Sequence, residues 1–134
     1  MNKIDHIGVV VKDIQKANEV FENILKTSSY KKEYVQSEDV STSFFKLGDS
    51  KIELISSNDL DHTINRYINK QSSSLHHFAI RVDDINKEMD RIVSLGIRLL
   101  NDTPKVGADN MMICFLHPKD TFGVLIELCQ EINQ

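Results

Sequence analysis

Residues 3–11, Lys-Ile-Asp-His-Ile-Gly-Val-Val-Val, are rich in β-branched side chains and end at a polar step, which predicts a strand. Asp13 then stands where a helix N-cap is expected. Ile14, Ala17, Phe21, Ile24 and Leu25 follow at helical spacing, so an amphipathic helix is predicted over about 14–26. Three short strands are predicted at 30–36, 41–47 and 50–56, with Gly48-Asp49 as a tight turn between the last two. Leu60, Ile64, Tyr67 and Ile68 predict a short helix, and Gln71-Ser-Ser-Ser74 a linker.

The same order of elements then begins again. Residues 75–82 predict a strand, and Asp84 caps a second helix with Ile85, Met89, Ile92 and Val93 on its apolar face and Gly96 as its stop. Three further strands are expected near 97–101, 110–116 and 123–129. The repeat has a definite register. A shift of 71 lays His6 on His77, Val11 on Val82, Asp13 on Asp84, Ile14 on Ile85 and Phe44 on Phe115. Further along the shift is 74, laying Ile52 on Ile126, Glu53 on Glu127 and Leu54 on Leu128. The second copy thus carries three extra residues within His117-Pro-Lys-Asp-Thr-Phe-Gly123. The expected organisation is one α+β domain of two βαβββ modules: about 1–57, a linker helix at about 58–73, and about 74–134.

Length and composition add little to this but exclude several classes. At 134 residues the chain is one ordinary domain, able to bury a core without disulfides. No apolar run approaches the roughly 20 residues that cross a bilayer, and the first residues have no signal-peptide shape, so a cytoplasmic protein without a membrane partner is expected. The net charge is −4 with no block of Lys and Arg, which argues against nucleic acid. Cys114 and Cys129 form no Cys-x-x-Cys and read as reduced thiols in or near the core.

The candidate chemistry lies in ionisable residues set within apolar strands. Glu53 sits in Lys51-Ile-Glu-Leu-Ile55 and Glu127 in Val124-Leu-Ile-Glu-Leu128. A carboxylate facing a core is costly unless paired, protonated or metal-bound. Taken singly, each Glu could face solvent and each His could be a hydrogen-bonded core imidazole. The repeat puts a His in the first strand and a Glu in the last strand of both copies. Packing about a pseudo-two-fold axis would bring His6, Glu53, His77 and Glu127 into one cleft. Two nitrogen and two hard oxygen donors suit a six-coordinate divalent ion with open positions for substrate. Alternation puts His6 on one face with Gly8 and Val10, and His77 with Ala79. It sends His76 to the other face of the strand, as packing. His62 reads as a surface residue. His117 opens the long second-copy loop, where it could structure the loop or contact substrate.

Asp5-His-Ile-Gly8, the 51–55 strand, Leu75-His-His-Phe-Ala79, Val82-Asp-Asp-Ile85, Gly107-Ala-Asp109 and Phe115-Leu-His-Pro-Lys119 with Gly123-Val-Leu-Ile-Glu-Leu128 resemble the methylmalonyl-CoA epimerase family of the vicinal oxygen chelate superfamily. The resemblance runs over nearly the whole chain. It implies two βαβββ modules in a half-open, eight-stranded barrel around a metal. Metal ligands are implied at His6, His77 and Glu127, with Glu53 in the fourth position, and the ion as Co²⁺, with Mn²⁺, Ni²⁺ or Zn²⁺ as alternatives. It further implies an acyl-CoA substrate, a homodimer, and interconversion of (2R)- and (2S)-methylmalonyl-CoA by moving the C2 proton through a metal-stabilised enolate. Glu127 is then the first candidate for the base. A Glu that some relatives use would fall near Thr42, which cannot serve, leaving Glu53 and Glu38 for the second base. Lys119, with Lys105 nearby, and His117 are candidates for holding the substrate. Asn110, Met111 and Phe122 depart from the family pattern, Phe122 standing where a small residue is usual.

The rival enzyme is a glyoxalase I-like lactoylglutathione lyase or another small-substrate member of the superfamily, which uses the same kind of His/Glu site. The final loop resembles the epimerases instead. Ring-cleaving dioxygenases are usually longer, four-module chains. Non-enzymatic binding proteins of this fold often lack the metal residues, all four of which are present here.

Overall fold

A computed structural model describes residues 1–67 and 73–132. Among them are eight strands and two α-helices, giving the α+β class expected: β1 (Lys3–Val11), α1 (Ile14–Leu25), β2 (Lys31–Val35), β3 (Val40–Leu47), β4 (Ser50–Ser56), β5 (Ser73–Arg81), α2 (Ile85–Ser94), β6 (Lys105–Val106), β7 (Met111–Phe115) and β8 (Ile126–Glu131). No helix among the described residues is long and apolar enough to cross a membrane. The chain divides into two compact units, residues 6–76 and residues 1–5 with 77–134.

In the first unit the strands run β2-β3-β4-β1. β1 and β4 are parallel, with Gly8 opposite Glu53, and β3 and β4 are antiparallel, with Phe44 opposite Glu53. Gly48 turns the β3–β4 hairpin at φ +58°, a backbone conformation that glycine adopts without penalty. Asp13 caps α1 by accepting from the Lys16 N–H. Ile14, Ala17, Phe21 and Leu25 pack on a core of Val11, Phe45 and Leu54. Ile24, expected on that face, is exposed, and the buried residue of α1 is Asn18. Apolar spacing alone hides this, because Asn18 is buried by hydrogen bonding rather than by hydrophobicity. Its Oδ1 accepts from the Ser43 hydroxyl at 2.5 Å, and its Nδ2 donates to Glu22 at 3.1 Å.

The second unit repeats the plan as β5-β8-β7-β6. β5 and β8 are parallel, with Ala79 opposite Glu127, and β7 and β8 antiparallel, with Phe115 opposite Glu127. Asp84 caps α2 by accepting from the Lys87 N–H. Ile85, Met89 and Ile92 pack with Val82, Cys114, Leu116 and Leu128, while Val93 lies outside that face and is exposed. Cys114 and Cys129 are buried free thiols, and burial pushes the Cys114 thiol up to about 11.

Three expectations need correction. The strand expected at 97–101 is absent, apart from a single bridge between Leu99 and Leu116, and the edge strand is the two-residue β6. Ile97 and Leu99 still pack on the core, but the Arg98 N–H is taken by the Asp120 carboxylate at 2.9 Å. Pro104 supplies no N–H for a ladder. β8 begins at Ile126 rather than at 123, because Gly123 has φ +82° and the Val124 N–H is committed to the Thr121 carbonyl. Ser73 and Ser74, expected in a linker, belong to β5; Gln71 and Ser72 lie outside the described residues, as does Ile68 of the predicted short helix, which is a 3₁₀ turn over Thr63–Tyr67.

Candidate active site

In each unit the first strand supplies an imidazole and the last strand a carboxylate to one face of the sheet. His6 Nε2 lies 3.5 Å from Glu53 Oε1, and both side chains are buried. His77 Nε2 lies 3.4 Å from Glu127 Oε1, again with both side chains buried. The parallel registers explain the pairing. Each Glu sits opposite the small residue two places beyond its His, Gly8 or Ala79, so its side chain can reach back along the strand to the imidazole. An aromatic edge completes each set. The His6 ring meets Phe44 at 90° with centroids 6.2 Å apart, and the His77 ring meets Phe115 at 84° and 5.5 Å. Phe44 and Phe115 are the residues opposite the two carboxylates. Each phenylalanine therefore steers an imidazole and covers it from one side.

These donors fit a divalent metal. Imidazole nitrogen and carboxylate oxygen bind such ions at about 2.0–2.2 Å, which puts neighbouring donors of one shell roughly 3 Å apart or slightly more. Both His–Glu separations are close to that.

The other sequence-predicted residues fall in different places. His117 opens a short 3₁₀ turn over Pro118–Asp120, and its Nδ1 accepts from the Lys119 N–H at 3.2 Å. Lys119 is exposed on that turn. Thr42 is buried, its hydroxyl donating to the Glu33 carbonyl. Glu38 sits in the β2–β3 turn. His76 is half-buried, and burial, with a smaller contribution from His62, pulls its pKa down to about 4, so it is neutral near pH 7.

His62 is not simply a surface residue. Its Nδ1 accepts from the Ile64 N–H at 3.1 Å, so the proton is on Nε2, which donates to the Glu38 carbonyl at 2.7 Å. Tyr34 adds a second tie in the same turn, its hydroxyl donating to Asp39 at 2.6 Å. Other polar partnerships also escaped sequence reasoning. Asp5 is fully buried beside His6 in the chain and accepts from Arg81 Nη2 at 2.7 Å and Nε at 3.0 Å. Burial alone would lower the Arg81 pKa, but the hydrogen bond and charge of Asp5 outweigh it and hold the guanidinium in its charged form. The partners are 76 residues apart, and no local pattern links them.

Comparison with known proteins places this geometry. Residues 5–115 match the family model of the glyoxalase/bleomycin resistance protein/dioxygenase superfamily. The mitochondrial methylmalonyl-CoA epimerase of Homo sapiens is 34% identical over 97% of this chain and 74% of its own length. The chain belongs to the methylmalonyl-CoA epimerase family of that superfamily. The Bacillus subtilis (strain 168) protein YqjC is 32% identical over 97% of the chain and 93% of its own length. Among solved structures, a variant of the Streptomyces coelicolor methylmalonyl-CoA epimerase in complex with 2-nitronate-propionyl-CoA superposes with a TM-score of 0.92. It is 28% identical, and the match covers 98% of this chain and 95% of that one. The family resemblance drawn from the His-Ile-Gly, His-His and Phe-Leu-His-Pro-Lys segments is thereby established, and with it an enzyme of the epimerase type.

Proposed function

We propose that the protein epimerises methylmalonyl-CoA at C2, using one divalent ion held jointly by His6, Glu53, His77 and Glu127. The observation that carries this reading is the duplicated His–Glu–Phe set with its imidazoles and carboxylates buried, one in each half of a chain of the epimerase family. Two sets of two donors make a four-ligand site that leaves room for two substrate oxygens. The ion when bound would act as a Lewis acid toward the thioester and carboxylate oxygens that flank C2.

The protein's own part is proton transfer. C2 lies between two carbonyl-type groups, so its proton is the acidic one. Glu127 takes that proton in our reading. Inversion also needs an acid–base group on the opposite side of C2. Glu53, the counterpart of Glu127 in the other half, fills that role in the symmetric version of the scheme. Glu38 fills it in the asymmetric one, and the anchoring of its turn by His62 and by Tyr34–Asp39 favours a fixed position for that carboxylate. Lys119 meets the negative charges of the coenzyme A portion, and His117 shapes the turn that carries it.

The test is exchange of the C2 proton of methylmalonyl-CoA in deuterium oxide, with Co²⁺ added and with chelator. Protein-dependent exchange that the chelator stops is expected. Silence toward methylmalonyl-CoA, together with turnover of the glutathione hemithioacetal of methylglyoxal, would replace this reading with a glyoxalase.

A further inference from the structure

The two modules treat the back of the sheet, the face that carries the helix, in opposite ways. The shared framework asks of this face only that it be filled. In the second module Met89, Met112 and Cys114 fill it, packed with the apolar residues around them. The shift of 71 puts Asn18, Ser41 and Ser43 in their places, and all three line a cleft of about 360 Å³. That volume is in the range of small-molecule sites. Three polar side chains at positions that are apolar in the other module give up hydrophobic burial, and a buried polar group is tolerated only where it is hydrogen-bonded.

The walls of the cleft are fixed. Lys32 stands opposite Ser43 and Tyr34 opposite Ser41 in the β2–β3 register, so these four side chains share one face, and all four line the cleft. The buried Asn18 accepts from the Ser43 hydroxyl. The Tyr34 hydroxyl donates to Asp39 at 2.6 Å, which holds the ring in one orientation. Ile14 adds apolar surface from the first turn of α1. Against these walls several donors are unused. Among the described residues the Lys32 ammonium makes no ion pair, and the Ser41 hydroxyl and the Ile14 N–H make no hydrogen bond. In the second module the equivalent N–H, that of Ile85, is taken by Gln130 Oε1 at 2.8 Å, and Ser56 stands in the place of Gln130. Glu33, the one acidic residue of the lining, alternates to the other face of β2, where Lys31 meets its carboxylate at 3.6 Å. The cleft thus offers one cation, free hydrogen-bond donors and apolar surface.

We infer that this cleft binds a small monocarboxylate, whose carboxylate meets the Lys32 ammonium and the Ser41 hydroxyl and whose apolar body lies against Ile14 and the Tyr34 ring. A single cation suits a single negative charge, and the apolar walls favour an organic acid over inorganic phosphate. Within the first module the site is on the face of the sheet turned away from His6 and Glu53, so it goes beyond the epimerase reading and does not depend on it. A ligand held there ties α1 to β2 and β3 and stabilises the folded chain by mass action.

The test is a titration of the isotope-labelled protein with benzoate, read by NMR chemical shifts at low ionic strength, where screening is weakest. Saturable shifts should gather at Ile14, Lys32 and Ser41, with half-saturation at about 1 mM, the scale for a ligand of this size. Lys32→Gln should weaken binding about fivefold, the worth of one exposed ion pair. Ser41→Met, which copies Met112 and fills the cleft, should abolish saturation. Both variants should keep the parent rate of C2 exchange, since neither residue is on the metal face. Benzoate should raise Tm in the parent protein and not in Ser41→Met. Shifts that never saturate, or saturation that survives in Ser41→Met, overturn the site. If Ser41→Met does not fold, Lys32→Gln decides alone, and an unchanged affinity overturns the assignment. Inorganic phosphate that displaces benzoate with equal strength would show that charge alone is held and overturns the carboxylate class. A fall in molar mass by light scattering in either variant would make the cleft a contact between copies of the chain and overturn it as a ligand site. Benzoate binding without any C2 exchange would sink the epimerase reading and leave this site standing.

Discussion

The two halves of the chain share one framework and fill it differently. Asp13 and Asp84 cap equivalent helices through equivalent N–H groups, and Phe44 and Phe115 lie against His6 and His77 in the same edge-on manner. Behind the sheet the resemblance stops. Asn18 and Ser43 occupy the positions that Met89 and Cys114 occupy in the other half. The first pair forms a hydrogen-bonded network that extends to Ser29, and the second an apolar core. Asn18 and Ser43 also line a cleft of about 360 Å³ between the start of α1 and strands β2 and β3. The helix starts differ too: the Ile85 N–H is taken by Gln130 Oε1 at 2.8 Å, and the counterpart of Gln130 in the first half is Ser56. The face bearing the His–Glu donors has kept its pattern, while the side that only has to be filled has diverged.

The largest effects should come from breaking the shared framework. His6→Ala and His77→Ala should each abolish tight metal binding and lower C2 exchange by well over about 100-fold. A difference between them in metal content would break the symmetry on which the site is built. The carboxylates should then separate the halves. Glu127→Gln keeps an oxygen donor and some metal but loses proton transfer, with turnover down by more than about 100-fold. Glu53→Gln should be milder. Equal losses in C2 exchange would mean that both carboxylates carry protons, and a large loss in Glu38→Gln alone would move the second base to the β2–β3 turn.

Much of this plan is legible in the sequence because it is local or repeated. The strands and both helices show themselves by period, and His6, His77, Glu53 and Glu127 by recurrence at shifts of 71 and 74. What stays hidden depends on distant partners. Ile97, Leu99 and Leu100 read as strand residues, and the segment does pair briefly, the Leu100 N–H with Phe115 and the His117 N–H with the Arg98 carbonyl, but the Arg98 N–H goes to Asp120, 22 positions away. Asn18 breaks the rule that the buried face of a helix is apolar, and only Ser43 and Glu22 explain it. His62 is tied to Glu38 across 24 residues. Exposed positions such as Ile24 and Val93 mislead for the opposite reason, since an apolar residue at the flank of a helix need not be buried.

Stability measurements sharpen the comparison further. Arg81→Ala would leave the fully buried Asp5 carboxylate without its guanidinium, and unfolding by denaturant should show a loss of about 3–5 kcal/mol. The shift of 71 puts Val10 opposite Arg81 in the repeat, so the first half has no equivalent variant. A loss under about 1 kcal/mol would show that Asp5 is satisfied without Arg81. A smaller effect is expected behind the first sheet. Asn18→Met should cost about 0.5–1.5 kcal/mol by removing the bond from the Ser43 hydroxyl to Asn18, which leaves that hydroxyl its contact with Ser29. Adding Ser43→Cys, which copies the Met89–Cys114 pair, should recover part of that cost. A double variant no better than the single one would mean that the polar network is not interchangeable with the apolar core.

The central claim is that the two His–Glu pairs act as one site, and the metal content of the purified protein tests it most directly. Mass spectrometry under native conditions should find one divalent ion per chain. That ion should be lost alike from His6→Ala and from His77→Ala. Two ions per chain, or one ion that survives either substitution, would show that the pairs are separate and would contradict the account.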